Sequence, residues 1–333
     1  MRRTFRPNLL LIHPEVAIKQ RFDRTWLLNP PDSSVDNEGK IRTEIGSIRV
    51  RNADIIVGPV LRQAIVQAPP GFSSAQLIVL ENVNQSVRFH GERNHLVSIN
   101  LGGRLKNGTF RLRGTGDIET GNTNLTLYGR KLRIDTINPF LGGSLFLGEG
   151  YGYGNLYIEI RPGHDQPVAI EGALRLQNGQ AVITGLPSQF EDIYGRLQFR
   201  GQRIAFDDTE LRFGPIPVQV QGSVSPQNGF QVGVTVPDVS VEQLETAFAQ
   251  SLPVEATGRF ALLTEVRGPL RAPRIAGNLT NLDPIRVDRL ALNQVSATFS
   301  GNTQALSLED LQVLPVTGGS LTASGQIDFE DQG

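Results

Sequence analysis

Apolar and polar residues alternate through long stretches of this chain, most regularly between residues 169 and 236. Leu174 and Leu176 flank Arg175, and Leu197 and Phe199 flank Gln198. Ile204 and Phe206 stand against Arg203 and Asp207, Leu211 and Phe213 flank Arg212, and Val218 and Val220 flank Gln219. Val232, Val234 and Val236 are separated by Gly233 and Thr235. A period of two puts one apolar and one polar face on each strand. Asn178-Gly179 supplies the positive-φ pair of a type I′ turn, so a hairpin is expected after Leu176.

The same alternation marks Ile41, Ile45, Ile48 and Val50, where Arg49 and Arg51 intervene, and recurs at Leu125 and Leu127, at Leu156, Ile158 and Ile160, and at Phe260 and Leu262. The run Leu77 to Leu80 fits a strand covered on both faces or a segment of helix. Near the N-terminus, apolar positions and the lone Trp26 lead into a polar loop at Pro30 and Pro31, and alternation resumes from Lys40. Gly58-Pro59 and Ala68-Pro69-Pro70-Gly71 read as breaks. Only Val241 to Gln250, and more weakly Ile137 to Leu141, have a helical pattern. The turn signals divide the remainder into on the order of 20–25 strands.

The pattern repeats. Phe89-His90-Gly91, Phe199-Arg200-Gly201 and Phe299-Ser300-Gly301 each close a strand, and Gly116, Gly222 and Gly325 are expected to open another. NLTLYGRKLRIDTINPF aligns with FQVGVTVPDVSVEQLETAF, and the stretch 154–176 aligns with 258–282. The spacing is roughly 100–110 residues. It divides the chain into an N-terminal β region (1–86), a first repeat (87–190), a second (191–294) and the start of a third (295–333). Repeats that stack only on their neighbours build an elongated object.

Composition supports this and excludes several function classes. There are 36 Gly and 20 Pro, which suits many turns, and no Cys, which removes disulfides and thiolate metal sites. Lys and Arg total 32 against 33 Asp and Glu, so no net field draws in nucleic acid. No apolar run is long enough for a membrane-spanning helix. Leu9 to Ile12 is too short for a signal-peptide core. The ending GQIDFEDQG breaks off inside a repeat, so the chain is expected to be a piece of a longer exported protein.

Candidate chemistry is sparse. His90 and His95 would need a third metal ligand, for which Glu92 is the nearby candidate; ordinary turn histidines explain them better. His13 and His164 stand alone, and GEGYGYGNL (148–156) leads into a strand, where a phosphate loop requires a helix. It is expected to form a bulged strand entry. Asp207-Asp208 reads as a solvated pair at a strand end. No nucleophile, metal or nucleotide motif is present, so neither catalysis nor a cofactor is expected.

The apolar positions are almost all aliphatic, and neither a second sheet nor a set of helices is evident to cover them. An uncovered sheet curling by its own twist gives a trough with an apolar floor. That floor comprises Leu125, Leu127, Leu156, Ile158, Ile160, Leu174, Leu176, Leu197, Phe199, Ile204, Phe206, Leu211, Phe213, Val218, Val220, Val232, Val234, Phe260 and Leu262. Each acyl methylene moved onto it gains about 0.8 kcal/mol with no directional bond to pin it, which suits sliding. The fold class expected is therefore all-β: a continuous antiparallel sheet curled into a groove.

The stretch from Gly172 to Gly185 (GALRLQNGQAVITG), the block DIYGRLQFRGQRIAFDDTELRFGPIPVQVQGSV, and PLRAPRIAGNLT (Pro269 to Thr280) resemble the repeats of the TamB family, within the AsmA-like group and nearest its cyanobacterial and plastid branch. The resemblance covers about residues 90–333 well and residues 1–86 more loosely. It implies a β-groove crossing the periplasm and passing phospholipid between inner and outer membranes. It also implies an inner-membrane anchor and a contact with an Omp85-type outer-membrane barrel, both through regions outside this chain. Family members also act in assembling envelope proteins, so a scaffold for unfolded outer-membrane strands stays open. A membrane-embedded barrel fits poorly because aromatics are only 7 % of the chain. An adhesin-like solenoid with a filled interior is the remaining alternative.

Overall fold

The computed structural model describes residues 3–19, 41–43, 45–58, 69–70, 72, 77–91, 94–140, 145–164, 167–251, 254–270, 272–302 and 304–328. Trp26, Pro30, Pro31, Lys40, Pro59, Ala68, Gly71, Glu92 and Leu141 lie outside the described residues. The chain divides into two compact units, Met1–Arg175 and Leu176–Gly333.

In the first unit the strands are β1 (Arg3–Phe5), β2 (Asn8–Ile12), β3 (Glu15–Lys19), β4 (Ile41–Thr43), β5 (Ser47–Gly58) and β6 (Ile78–His90). They continue as β7 (Leu96–Leu105), β8 (Gly108–Asp117), β9 (Thr123–Arg133), β10 (Leu145–Leu147), β11 (Tyr151–Ile160) and β12 (Val168–Ile183), which runs across the unit boundary. From β5 to β9 each strand pairs antiparallel with the next, and β9 then pairs with β11.

Antiparallel pairing does not extend to the beginning. β2 and β3 both run parallel to β5, and β1 pairs parallel with β4. Parallel neighbours need a long crossover, and the stretch between Lys19 and Ser47 is long enough for one.

The second unit contains β13 (Phe190–Gly201), β14 (Arg203–Phe213), β15 (Ile216–Ser225), β16 (Gly229–Ser240), α1 (Val241–Phe248) and β17 (Ala256–Thr257). After these come β18 (Arg259–Gly268), β19 (Arg274–Asn281), β20 (Ile285–Val287), β21 (Leu290–Gly301), β22 (Ala305–Pro315) and β23 (Leu321–Asp328). The antiparallel ladder runs β13, β14, β15, β16, β18, β19, β21, β22, β23. All strands except β1 and β4 belong to one mixed sheet of 21 strands. Among the described residues no pairing joins the ends of either unit's ladder, so neither closes into a barrel.

The helix forms where the alternation breaks. Ser240 caps α1 by accepting from the Gln243 N–H, while the Gln243 side chain accepts from the Ser240 N–H. This reciprocal pair satisfies two of the free amides at the helix start. In the first unit a 3-10 helix, Ile134–Phe140, takes the corresponding place. Its Asp135 is 3 % exposed and accepts from Lys106 Nζ at 2.7 Å and Arg133 Nη2 at 3.0 Å. The hydrogen bond to Asp135 raises the Arg133 pKa above its ordinary value, against the opposing effect of burial.

Several local expectations are corrected. Asn178-Gly179 makes no turn: β12 runs straight through it, with Asn178 at φ 54° and its side chain accepting from the Tyr194 hydroxyl. A single left-handed residue produces a bulge, whereas a type I′ turn needs two. Asp207-Asp208 lies inside β14, with Asp207 opposite Arg196. Gly116, Gly222 and Gly325 sit within β8, β15 and β23, where they open no strand. Leu77 and Val79 are exposed, so the strand there is covered on one face at most. The expected bulge near 148–156 is present between Gly152 and Gly154.

Candidate functional site: the apolar face of the sheet

Residues directly opposite each other in an antiparallel ladder point to the same side, so the pairing register draws each face explicitly. In the second unit one row runs Leu197, Phe206, Gly222, Val232, Val266, Ile275, Gly301, Leu306. It crosses eight strands, a span of about 34 Å at ~4.8 Å per strand. A parallel row runs Phe199, Ile204, Val224, Phe230. A third runs Thr209, Val220, Val234, Thr264, Gly277, Phe299, Leu308, and Leu211 pairs with Val218 beside it. None of these rows contains an ionisable residue.

The first unit repeats the arrangement. One row runs Ile48, Val87, Ile99, Gly114, Leu125, Ile158, and the next runs Gln85, Leu101, Leu112, Leu127, Leu156. Ile160 ends a third row, after Phe89, Val97, Gly116 and Thr123. Gly154 and Gly172 let β11 and β12 approach closely: a Cβ on Gly154 would stand 3.0 Å from Leu174 Cα. Leu174 therefore lies beside this face, and Leu176 follows at the alternate position.

Exposure distinguishes an open face from a core. Of the nineteen predicted floor residues, Leu156 is buried and the other eighteen are half-buried. Half-burial is what neighbours on the same sheet provide when nothing lies above. Among the described residues only fourteen apolar side chains are buried, and only Val83 and Val239 are both large and fully enclosed. Val83 and Val239 each belong to one of two small clusters. Val50, Ala53, Ile55 and Val83 make the first. Ile216, Val239 and Ala247 make the second, with Phe213, Val218, Phe260 and Leu262 packed against it.

The second cluster modifies the predicted floor. Ala247 belongs to α1, whose Phe248 ring lies 5.8 Å from that of Phe213, and Ser188 donates to the Ala247 carbonyl. The helix thus covers the floor at Phe213, Val218, Phe260 and Leu262. The uncovered strip in this unit comprises Leu197, Phe199, Ile204, Phe206, Leu211, Val220, Val232 and Val234.

Sequence reasoning missed floor residues that the pairing register supplies, among them Leu101, Leu112, Val266, Leu279 and Phe299. Each continues a period of two, but a glycine at the next face position interrupts the apolar run. Gly114 follows Leu112, and Gly277 precedes Leu279. Gly277 is spanned by its neighbour: a Cβ there would meet Phe299 Cζ at 2.7 Å.

The opposite face is polar, for example Gln198, Ala205, Ser223, Gln231, Arg267, Arg274. His90 is exposed and His95 half-buried, and among the described residues no group of three or more carboxylates and imidazoles is placed to hold a metal.

Two chloroplast proteins are similar to part of the chain. The rice (Oryza sativa subsp. japonica) protein SUBSTANDARD STARCH GRAIN 4 is 26 % identical over 185 residues, covering 54 % of this chain and 9 % of its own length. TIC236 of Arabidopsis thaliana is 27 % identical over 187 residues, covering 44 % of this chain and 9 % of its own length. No family model and no solved structure matches. The chain is thus similar, over about half its length, to a small part of two much longer chloroplast proteins.

Proposed function

We propose that the apolar face binds the acyl chains of phospholipid and lets them slide along the sheet, as one segment of a longer TamB-like bridge between two membranes. The observation that carries this reading is the set of cross-strand apolar rows, free of ionisable groups and for the most part only half-buried. Each methylene laid on such a row gains about 0.8 kcal/mol, and successive positions offer nearly the same gain. Binding of this kind is strong over a whole chain and weakly resistant to displacement along it. The similarity to far longer chloroplast proteins supports a segment of an envelope protein, working in the space between membranes. Its membrane anchor and a partner barrel of the Omp85 type would be reached through other parts of the full protein. The segment carries out no reaction.

A second reading, as a scaffold for unfolded polypeptide, is favoured by β2. All five of its residues are exposed, Leu9, Leu10, Leu11 and Ile12 among them, and it pairs along one side with β5. Such a strand can accept another by edge addition. A photo-crosslinking residue at Val234, with Thr235 on the other face and Leu10 as comparisons, separates the two. Lipid adducts at 234 alone are expected. Polypeptide adducts at 10 and no lipid at 234 would replace lipid conduction with the scaffold.

A further inference from the structure

On the polar face of the first unit, four arginines converge without acidic partners. Arg111 and Arg113 alternate on β8, while Arg104 and Arg130 lie on either side of Thr109, one on β7 and one on β9. Tyr128 stands opposite Arg111, and Tyr157 lies one strand further, opposite Thr126. At ~4.8 Å between strands and about 7 Å between alternate residues, the guanidinium stems occupy a patch of roughly 10 by 14 Å. All four arginines are exposed, as are Tyr128 at 43 % and Tyr157 at 42 %. Thr109, Arg111, Arg113, Tyr128 and Arg130 line a shallow depression.

Some exposed arginines of the second unit are neutralised. Arg212 holds Glu191 and Asp192, and Arg259 holds Asp238 and Asp283. Among the described residues no carboxylate pairs with Arg104, Arg111, Arg113 or Arg130; the nearest in register is Glu81, opposite Arg104. The excess is local. Residues 96–133 carry seven Lys and Arg against two carboxylates in a chain whose net charge is −1.

We propose that this patch docks the polar face on the surface of a membrane rich in anionic lipid. The charges are spread over three strands in two dimensions, which matches a plane of phosphates; an extended acidic peptide would meet a single row. Half-exposed tyrosines among basic side chains are the composition of a membrane-interface contact. The patch is on the face opposite the apolar rows, so it acts independently of acyl-chain binding.

The test is co-sedimentation of the intact protein with vesicles of phosphatidylglycerol and phosphatidylcholine, compared with phosphatidylcholine alone. Each basic side chain near an anionic surface contributes about fivefold, so Arg111→Ser with Arg113→Ser is expected to weaken binding roughly 25-fold. Thr109→Glu, which removes no contact, gives a loss of the same kind. Arg212→Ser, on the polar face of the second unit, binds these vesicles as the wild type does, and raised salt releases the protein. Equal retention on neutral vesicles overturns the proposal. So does indifference to the double substitution, or binding to immobilised polyglutamate in place of vesicles.

Discussion

The most discriminating single perturbation is Val220→Asp. Val220 is half-buried in the third row, opposite Thr209 on one side and Val234 on the other. A carboxylate there stays hydrated when the face is empty, so folding loses only the partial burial and strand preference of valine, about 1 kcal/mol. A lipid tail on the row meets a hydrated charge and must withdraw from it. On the order of four methylenes lose contact, at about 0.8 kcal/mol each, so affinity falls by roughly 3 kcal/mol, or somewhat over a hundredfold. Gln219→Asp puts the same charge one residue away on the opposite face and leaves affinity unchanged, because a shift of one residue reverses a side chain's direction. Titration with a fluorescent phospholipid, alongside a thermal melt of each variant, measures both quantities. Equal lipid affinity in wild type and Val220→Asp, with both folded, would refute the reasoning. Equal losses in the two variants would show that charge acts without regard to face, and would refute it too.

Other consequences concern the frame. Asp135→Ala is expected to cost about 2 kcal/mol and lower the melting temperature by roughly 5 °C, since Lys106 and Arg133 lose a buried acceptor but regain some water; a change below ~0.5 kcal/mol in a denaturant titration would contradict the assigned role. Gly222→Ala is expected to cost at least ~2 kcal/mol, because Gly222 has φ 126° and an added Cβ would stand 2.2 Å from the Gln231 carbonyl oxygen; an unshifted melt would show that the strand gives way easily. Ser240→Ala removes the reciprocal cap of α1 at a cost of about 1 kcal/mol. Limited proteolysis should then cut faster within Val241–Phe248, while the pairing of β15 with β16 persists in hydrogen exchange.

Much of this architecture was legible because side-chain alternation reports a local property, the pleat of a strand. Leu197 with Phe206, and Val220 with Val234, lie opposite each other and so share a face, as the alternation suggests. Strand direction is not local: nothing in the alternation of β2 or β3 distinguishes parallel from antiparallel pairing with β5. At Asn178-Gly179 the local turn preference was overridden by a strand whose neighbour, through Tyr194, holds Asn178 in line. Helix α1 was legible at Val241, but its landing place over Phe213 and Phe260 depends on the chain's path between β16 and β18. The arginine patch lay within the same alternation, at Arg111 and Arg113. Its lack of acidic partners became visible only once the register of three strands was known.

Mass spectrometry of organic extracts from protein purified without detergent tests the central claim most directly. The wild type is expected to release phospholipid in an amount that falls sharply in Val220→Asp and holds in Gln219→Asp. A folded wild-type protein that releases none, and takes up none when mixed with vesicles, would mean that these apolar rows carry no lipid.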